Sequence, residues 1–282
     1  MKMVIHRTFI KAINSSLGIF FFLCAQIFFH VGCESRQEKE FKRGIKYQNS
    51  KDYSSALEEF EKSIKREPGN PTSLMAARES IKILLYEVKN YEKAIELLKF
   101  LILYSNNSEE RWRSQSQIAQ IYFDNLGWYD KALIEYSKLL NGNLSKEEQT
   151  KIHLSIARAY YYLGQFNQSW NEASSLLLEN SVSQDQIFDV YLLQANIHQS
   201  LKRFSEATKL FEEILTRFPE RSKKENVGIN LALCYEELGV YKEAMRVLES
   251  LKNSYEPKEY IALRLKKLKD RLINQPKKRL KK

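Results

Sequence analysis

Residues 241–244 read Tyr241-Lys-Glu-Ala244, an aromatic residue followed three positions later by a small one, and this pattern decides the fold. It occurs six times, and the small residues lie 38, 38, 37, 38 and 37 positions apart. They are Ala56, Ala94, Ala132, Ser169, Ala207 and Ala244. Apolar residues recur four and seven positions after most of them, which is the spacing of one helical face. The repeat therefore predicts one amphipathic helix in each unit.

A second helix is predicted upstream of each pattern. A small residue and a larger one three positions later recur there, as in Ala157 and Tyr160. Glycines 127, 164 and 239 fall between the two helices, where a helix C-terminus favours glycine. Three segments resemble N-terminal capping boxes, at Ser145, Ser183 and Ser222. Each unit is therefore predicted to be a helix–turn–helix in which the small residue permits a close helix crossing.

One such hairpin cannot bury both of its apolar faces, so the units must stack on one another. The predicted fold class is all-α, an α-solenoid of about six repeats. The pattern resembles the tetratricopeptide repeat (TPR) family over residues 37–257. The first unit carries the family's signature at Gly44, Tyr47, Tyr53, Ala56, Phe60 and Pro68. The period exceeds the 34 residues typical of the family, Lys82 stands where a small residue is preferred, and one extra residue separates Tyr122 from Ala132.

Composition agrees with a helical body. The 282 residues include only nine Gly and five Pro, too few for a turn-rich β fold, and three Cys, too few for a disulfide scaffold. The net charge of +10 is uneven: residues 1–32 carry +3, residues 33–257 carry −2 and residues 258–282 carry +9. The body is therefore nearly neutral between two basic ends.

The N-terminus predicts export. Basic residues precede thirteen uncharged residues, 17–29, which is shorter than a membrane span and typical of a signal peptide over 1–32. Gly32 and Cys33 follow, resembling a bacterial lipobox, although His30 and Val31 depart from its usual residues. We expect lipid on Cys33, with residues 33–36 as anchor and linker. An uncleaved N-terminal anchor and ordinary cleavage stay open as alternatives.

The sequence from Phe211 to Gly239 looks like the longer-period TPR proteins of bacterial envelopes, which include lipoproteins of outer-membrane assembly and the periplasmic Tol–Pal partner. This resemblance implies a chain in the exported cell envelope, held by lipid to a membrane facing the periplasm, with the outer membrane favoured.

No catalytic, cofactor or metal motif is present, so no enzyme activity, cofactor or metal is expected. Only His153 and His198 in the exported part could act as a base. Both lie in predicted first helices, and His198 is interpreted as a packed or rim residue because other units have Tyr at its position. Cys234 is interpreted as a small buried residue.

A TPR solenoid usually binds through the concave face that its first helices line. Aromatic, amide and Arg side chains on that face suit a protein or peptide partner. The predicted groove residues are Phe41, Ile45, Gln48, Leu154, Arg158, Tyr161, Tyr162, Asn196, Gln199, Asn230, Leu233 and Glu236.

The C-terminal end predicts a capping helix over 258–274, with Ile261, Leu265, Leu268 and Leu272 as its apolar stripe. Residues 275–282 are predicted to be a basic disordered tail. Nucleic acid is not an expected partner of an exported chain, and anionic lipid or an acidic protein suits the tail better.

These features together predict a membrane-anchored envelope scaffold that binds a protein or peptide partner. Two alternatives stay open: an assembly factor for outer-membrane β-barrel proteins, and a regulator of a peptidoglycan enzyme.

Overall fold

The computed structural model describes residues 34–178 and 182–274, and these are helical with no strand among them. The predicted signal peptide, Cys33 and the basic tail lie outside the described residues. The chain forms two compact units, one through Asn106 and one from Asn107 onward. The described helices of the first unit are α1 (Arg36–Asn49), α2 (Tyr53–Arg66), α3 (Pro71–Lys82) and α4 (Tyr91–Tyr104).

The second unit contains ten described helices. They are α5 (Ser108–Gln120), α6 (Tyr129–Leu139), α7 (Lys146–Tyr162), α8 (Phe166–Leu176), α9 (Gln184–Ser200), α10 (Phe204–Arg217), α11 (Pro219–Lys224), α12 (Val227–Glu237), α13 (Tyr241–Leu251) and α14 (Lys258–Ile273). Successive helices pair into two hairpins in the first unit and four in the second, with α11 between the fifth and sixth hairpins and α14 at the end. The predicted all-α repeat class is confirmed.

The small residue of each repeat lies at the helix crossing of its hairpin. All six are completely buried: Ala56, Ala94, Ala132, Ser169, Ala207 and Ala244. The Ser169 hydroxyl also donates a 2.7 Å hydrogen bond to the Ala157 carbonyl, which satisfies the one polar group in the set. In the first hairpin a glycine is needed as well, because a Cβ on Gly44 would come within 2.5 Å of the Phe60 ring.

All six hairpins turn in the same way. The backbone N–H of the residue before the second helix donates to the carbonyl of a large residue near the end of the first, as from Gln165 to Tyr160 at 2.9 Å. The residue just before that donor has positive φ in every hairpin: Lys51, Lys89, Gly127, Gly164, Lys202 and Gly239. The three predicted glycine positions are therefore confirmed, and three lysines hold the same left-handed conformation.

Two of the first helices end in a π-helical turn, at Ile83–Glu87 after α3 and at Ile121–Asn125 after α5. A π-helical turn accommodates one extra residue. The turn hydrogen bond accordingly spans six residues there, from Asn90 to Leu84 and from Trp128 to Tyr122, against five in the other hairpins. This explains the extra residue before Ala132. The assignment of Lys82 to the small-residue position was wrong by one, because that position belongs to Ile81.

Two of the three predicted capping boxes are present in the structure. Ser145 and Ser183 form the predicted capping boxes, and Ser35 forms another with Glu38 before α1. The box predicted at Ser222 is wrong. Ser222 lies inside the short helix α11, where its hydroxyl donates to the Ile214 carbonyl, and α12 begins after Asn226 without a side-chain cap.

The last helix, α14, closes the core of the second unit. Ile261, Leu265 and Leu268 are buried in one cluster that includes Phe211 and Leu248. This confirms the predicted capping helix.

Candidate binding groove

A groove between α7 and α9, the first helices of two neighbouring hairpins, contains two cavities. The first, which we call the aromatic cavity, has a volume of about 240 Å³. Its lining residues are Phe123, Arg158, Tyr161, Tyr162, Asp189, Leu192, Leu193 and Asn196. Residues one turn apart on a helix lie on the same face. The neighbouring helices α7 and α9 therefore each present one row of side chains to the groove between them.

Stacked rings hold the aromatic cavity in shape. The Tyr162 ring stacks on Tyr129 with centroids 4.7 Å apart and meets Phe123 edge-on at 5.5 Å. The Tyr161 hydroxyl lies 3.0 Å from the Ser200 hydroxyl oxygen on α9. Tyr162 nevertheless remains 55% exposed. The structure therefore holds the large amphipathic ring of Tyr162 exposed to solvent in a fixed orientation. Little side-chain entropy would be lost if a ligand contacted this ring.

A half-buried carboxylate, Asp189, forms the floor of the groove. Asp189 Oδ1 is 2.7 Å from Arg221 Nη2 on α11 and 3.2 Å from Arg158 Nη2 on α7. Burial raises the pKa of Asp189, while the two guanidinium groups oppose that shift. Arg221 also lies over the Phe188 ring at 4.2 Å, so α11 is fixed against α9 by charge and by cation–π contact. The short inserted helix thus supports the floor of the groove.

The second cavity, which we call the polar cavity, has a volume of about 410 Å³ and shares Arg158 and Asp189 with the first. Its other lining residues are Glu147, Lys151, Leu154, Ser155, Ser183, Asp185 and Gln186. The two cavities therefore follow one another along the groove, aromatic at the C-terminal ends of α7 and α9 and polar at their N-terminal ends.

The groove residues predicted for the fourth and fifth repeats come together. Arg158, Tyr161, Tyr162 and Asn196 line the aromatic cavity, and the buried Leu154 lines the polar one. Gln199 is half-buried and lines neither.

The residues predicted for the first and sixth repeats lie elsewhere. In the first unit, Phe41 packs on Phe60 with centroids 5.7 Å apart, Gln48 donates to Glu79 at 3.1 Å, and Ile45 is half-buried. In the second unit, Asn230 and Leu233 are half-buried and line neither cavity, and Glu236 forms ion pairs with Arg264 and Arg271 of α14. Glu236 is thus occupied by the capping helix.

Sequence reasoning missed Phe123, Asp189 and Gln186. Asp189 carried a signal, because it is the single charge in the otherwise apolar run 187–193. Phe123 carried a signal as well, because it follows the turn residue Tyr122 as Tyr161 follows Tyr160. Gln186 belongs to the predicted capping box at Ser183, which gives no indication that it lines the groove.

The residues considered for catalysis are packed in the structure. His153 Nδ1 contacts the Glu172 carboxylate, and the His198 ring meets Trp170 edge-on at 4.9 Å. Burial raises the pKa of the Cys234 thiol to about 11, which leaves it protonated and unreactive. In the described part of the chain, no group of three or more His, Cys, Asp or Glu could hold a metal ion, and no helix has the length and apolar character to cross a bilayer.

Comparison with known proteins shows a similarity in sequence over the C-terminal half of the chain. The sequence model of the family "Tetratricopeptide repeat protein 21 ARM repeat" matches residues 138–267. A search of curated proteins found no match.

Several solved structures share the fold. A tetratricopeptide repeat protein from Parabacteroides merdae is 20% identical, with a TM-score of 0.57 over 85% of this chain and 94% of that one. The C-terminal part of a TPR protein from Cytophaga hutchinsonii is 17% identical, with a TM-score of 0.56 over 89% and 94%. PilW, a widely conserved type IV pilus biogenesis factor, is 16% identical, with a TM-score of 0.54 over 80% and 98%.

The chain is therefore a helical repeat protein. Its hairpins share the fold of tetratricopeptide repeats, and the resemblance predicted from the sequence is confirmed at the level of the fold. Repeats of this type are typically non-catalytic surfaces for protein interaction.

Proposed function

We propose that this chain is a non-enzymatic scaffold of the bacterial cell envelope that binds a protein or peptide partner in the groove between α7 and α9. The observation that carries the proposal is the convergence of Arg158, Tyr161, Tyr162 and Asn196 in one open cavity. Tyr and Arg are enriched among residues that dominate binding energy, and an amide side chain pairs with a peptide backbone.

The location is part of the proposal. The lipobox-like sequence at Cys33 supports lipid attachment, and the signal-peptide pattern of residues 1–32 supports export to a membrane facing the periplasm, with the outer membrane favoured. Incorporation of labelled palmitate in cells tests this anchor. We expect label on the wild-type chain and none on Cys33→Ser, and equal labelling of both would contradict lipidation.

Crosslinking in intact cells tests the groove. A photo-reactive phenylalanine in place of Tyr162 is expected to capture a discrete partner, because this ring is exposed at the groove. The matched control is Asn171, an exposed residue on α8 that lines neither cavity. Equal capture from both positions, or capture from neither, would exclude the groove as the binding surface.

The captured protein also decides between the finer functions. Recovery of a barrel-assembly component would indicate an assembly factor for outer-membrane β-barrels, and recovery of a peptidoglycan synthase or hydrolase would indicate a regulator of that enzyme.

A further inference from the structure

The last helix, α14, has an apolar inner face and a basic outer face. Ile261, Leu265 and Leu268 on the inner face are buried against the core of the second unit. The exposed residues of α14 include five basic and two acidic side chains, which gives a net charge of +3. They are Lys258, Lys266, Lys267, Lys269 and Arg271 against Glu259 and Asp270. In the sequence, residues 275–282 add a further charge of +5.

The arginines and the lysines of this helix have different surroundings. The Glu236 carboxylate on α12 forms ion pairs with both Arg264 and Arg271. Three exposed lysines form no ion pair within the part of the chain that the structure describes: Lys266, Lys267 and Lys269. Lysine carries a compact, strongly hydrated charge, which suits diffuse attraction to an anionic surface better than directional pairing. The outer face of α14 therefore offers three positive charges to a partner.

Two large apolar side chains lie among these charges. Leu263 is 53% exposed and Ile273 is 79% exposed. Positions 263, 266, 267 and 273 follow helical spacings and so share one side of α14. A nucleic-acid backbone would match the lysines and leave both apolar side chains uncovered. A membrane interface matches both, because its anionic headgroups attract lysine and its acyl boundary receives leucine and isoleucine.

We infer that the outer face of α14 binds the surface of a bilayer that contains anionic phospholipid. The three lysines supply the attraction, and Leu263 and Ile273 enter the boundary between headgroups and acyl chains. This inference rests on the proposed location at a membrane and does not involve the groove. It adds a second membrane contact, far in the sequence from Cys33. Stable attachment commonly combines a lipid with a polybasic patch.

Crosslinking to lipid tests this face. The full-length chain, with a photo-reactive phenylalanine in place of Leu263, is reconstituted in vesicles of phosphatidylcholine with or without about one-third phosphatidylglycerol. Mass spectrometry measures the yield of lipid adducts. We expect about tenfold more adducts in the anionic vesicles, because each lysine near such a surface strengthens binding about fivefold. Salt at about 1 M should remove this excess by screening.

Two positions and two variants serve as controls. The same probe at Asn171, exposed on α8, should give equal yields in both kinds of vesicle. The test variant replaces three lysines of α14: Lys266→Gln, Lys267→Gln and Lys269→Gln. The control variant loses the same charge at exposed positions on α4, α10 and α13: Lys99→Gln, Lys209→Gln and Lys242→Gln.

The comparison of the variants separates this face from the net charge of the protein. Glutamine has about the helix propensity of lysine, so thermal unfolding of both variants should match that of the wild type. We expect the test variant to lose most of the excess adducts in anionic vesicles and the control variant to keep them. The salt dependence of the wild type tests the attraction without any substitution of lysine.

Three results would overturn the inference: equal yields in both kinds of vesicle, an excess that persists in salt, or an equal loss in both variants. Capture of a protein instead of lipid at position 263 in intact cells would also overturn it and would indicate an acidic protein partner. These experiments do not involve Tyr162 or Cys33. The proposed groove and the proposed lipid anchor would therefore stand or fall by their own tests.

Discussion

Six residues take the left-handed conformation that turns the chain between the helices of each hairpin, and three of them are lysines. Glycine adopts this conformation without steric cost, whereas a side chain costs about 1–2 kcal/mol there. The lysines at 51, 89 and 202 therefore carry strain that the glycines at 127, 164 and 239 avoid. The sequence predicts the left-handed conformation only at the glycines, because lysine seldom adopts positive φ and so does not indicate it.

Replacing one of these lysines should stabilise the protein. We expect Lys202→Gly to raise the free energy of unfolding of the second unit by about 1 kcal/mol, in urea titrations followed by circular dichroism. The control is Lys209→Gly on the exposed face of α10, where glycine should lower stability by about 1 kcal/mol. A loss of stability in Lys202→Gly would contradict the assigned strain.

His198 should make the second unit sensitive to acid. Burial lowers the pKa of His198 from its ordinary value of 6.5, Glu206 opposes this and Arg203 adds to it. The unfolded chain therefore binds a proton more readily, so stability present above pH 6.5 is lost as pH falls towards the folded-state pKa.

The same unfolding experiment at pH 7.5 and 5.5 tests this. His198→Tyr is the matched variant, because four other hairpins have tyrosine at that position: 47, 122, 160 and 235. We expect a smaller loss of stability at low pH in the variant, and an equal loss in both proteins would refute the role of His198.

At the level of the helices, the sequence predicts much of the fold because its signals are periodic. Helix pairing, the buried small residues, two capping boxes and the final helix all follow from spacings of three, four and about 38 residues. The π-helical turns, the uncapped start of α12 and the short helix α11 do not, because each depends on local hydrogen bonding that interrupts the period. The groove was predicted in part. Tyr161 was found, whereas Phe123, at the equivalent position of the third hairpin, was not, because the aromatic cavity takes a residue from the preceding hairpin.

The extra residue in the third hairpin should be removable. Deleting the exposed Asp124 shortens the turn hydrogen bond from six residues to the five found in other hairpins, so the chain should stay folded. Deleting the exposed Glu237 from α12, which has no π-helical turn, should lower the melting temperature much more. Similar losses in differential scanning calorimetry would contradict this account of the insertion.

At the scale of the whole molecule, the chain forms two compact units. A packing defect in one unit should lower the stability of that unit first. Gly44→Ala places a Cβ within 2.5 Å of the buried Phe60 ring, and overpacking of this kind costs about 1–3 kcal/mol. We expect hydrogen exchange measured by mass spectrometry to speed up in residues 34–106 before residues 107–274. Exchange that increases uniformly would show that the two units unfold together.

The place of Phe123 in the third hairpin limits how this protein can be redesigned. Repeat proteins can be redesigned by exchanging whole repeats, which assumes that the repeats are equivalent. Here Phe123 of the third hairpin lines the aromatic cavity, and the equivalent residue of the fifth hairpin is Gln199. A repeat copied from the fifth hairpin would therefore replace an aromatic ring in that wall by an amide. The order of the repeats therefore determines which side chains line the groove, and not only how the chain folds.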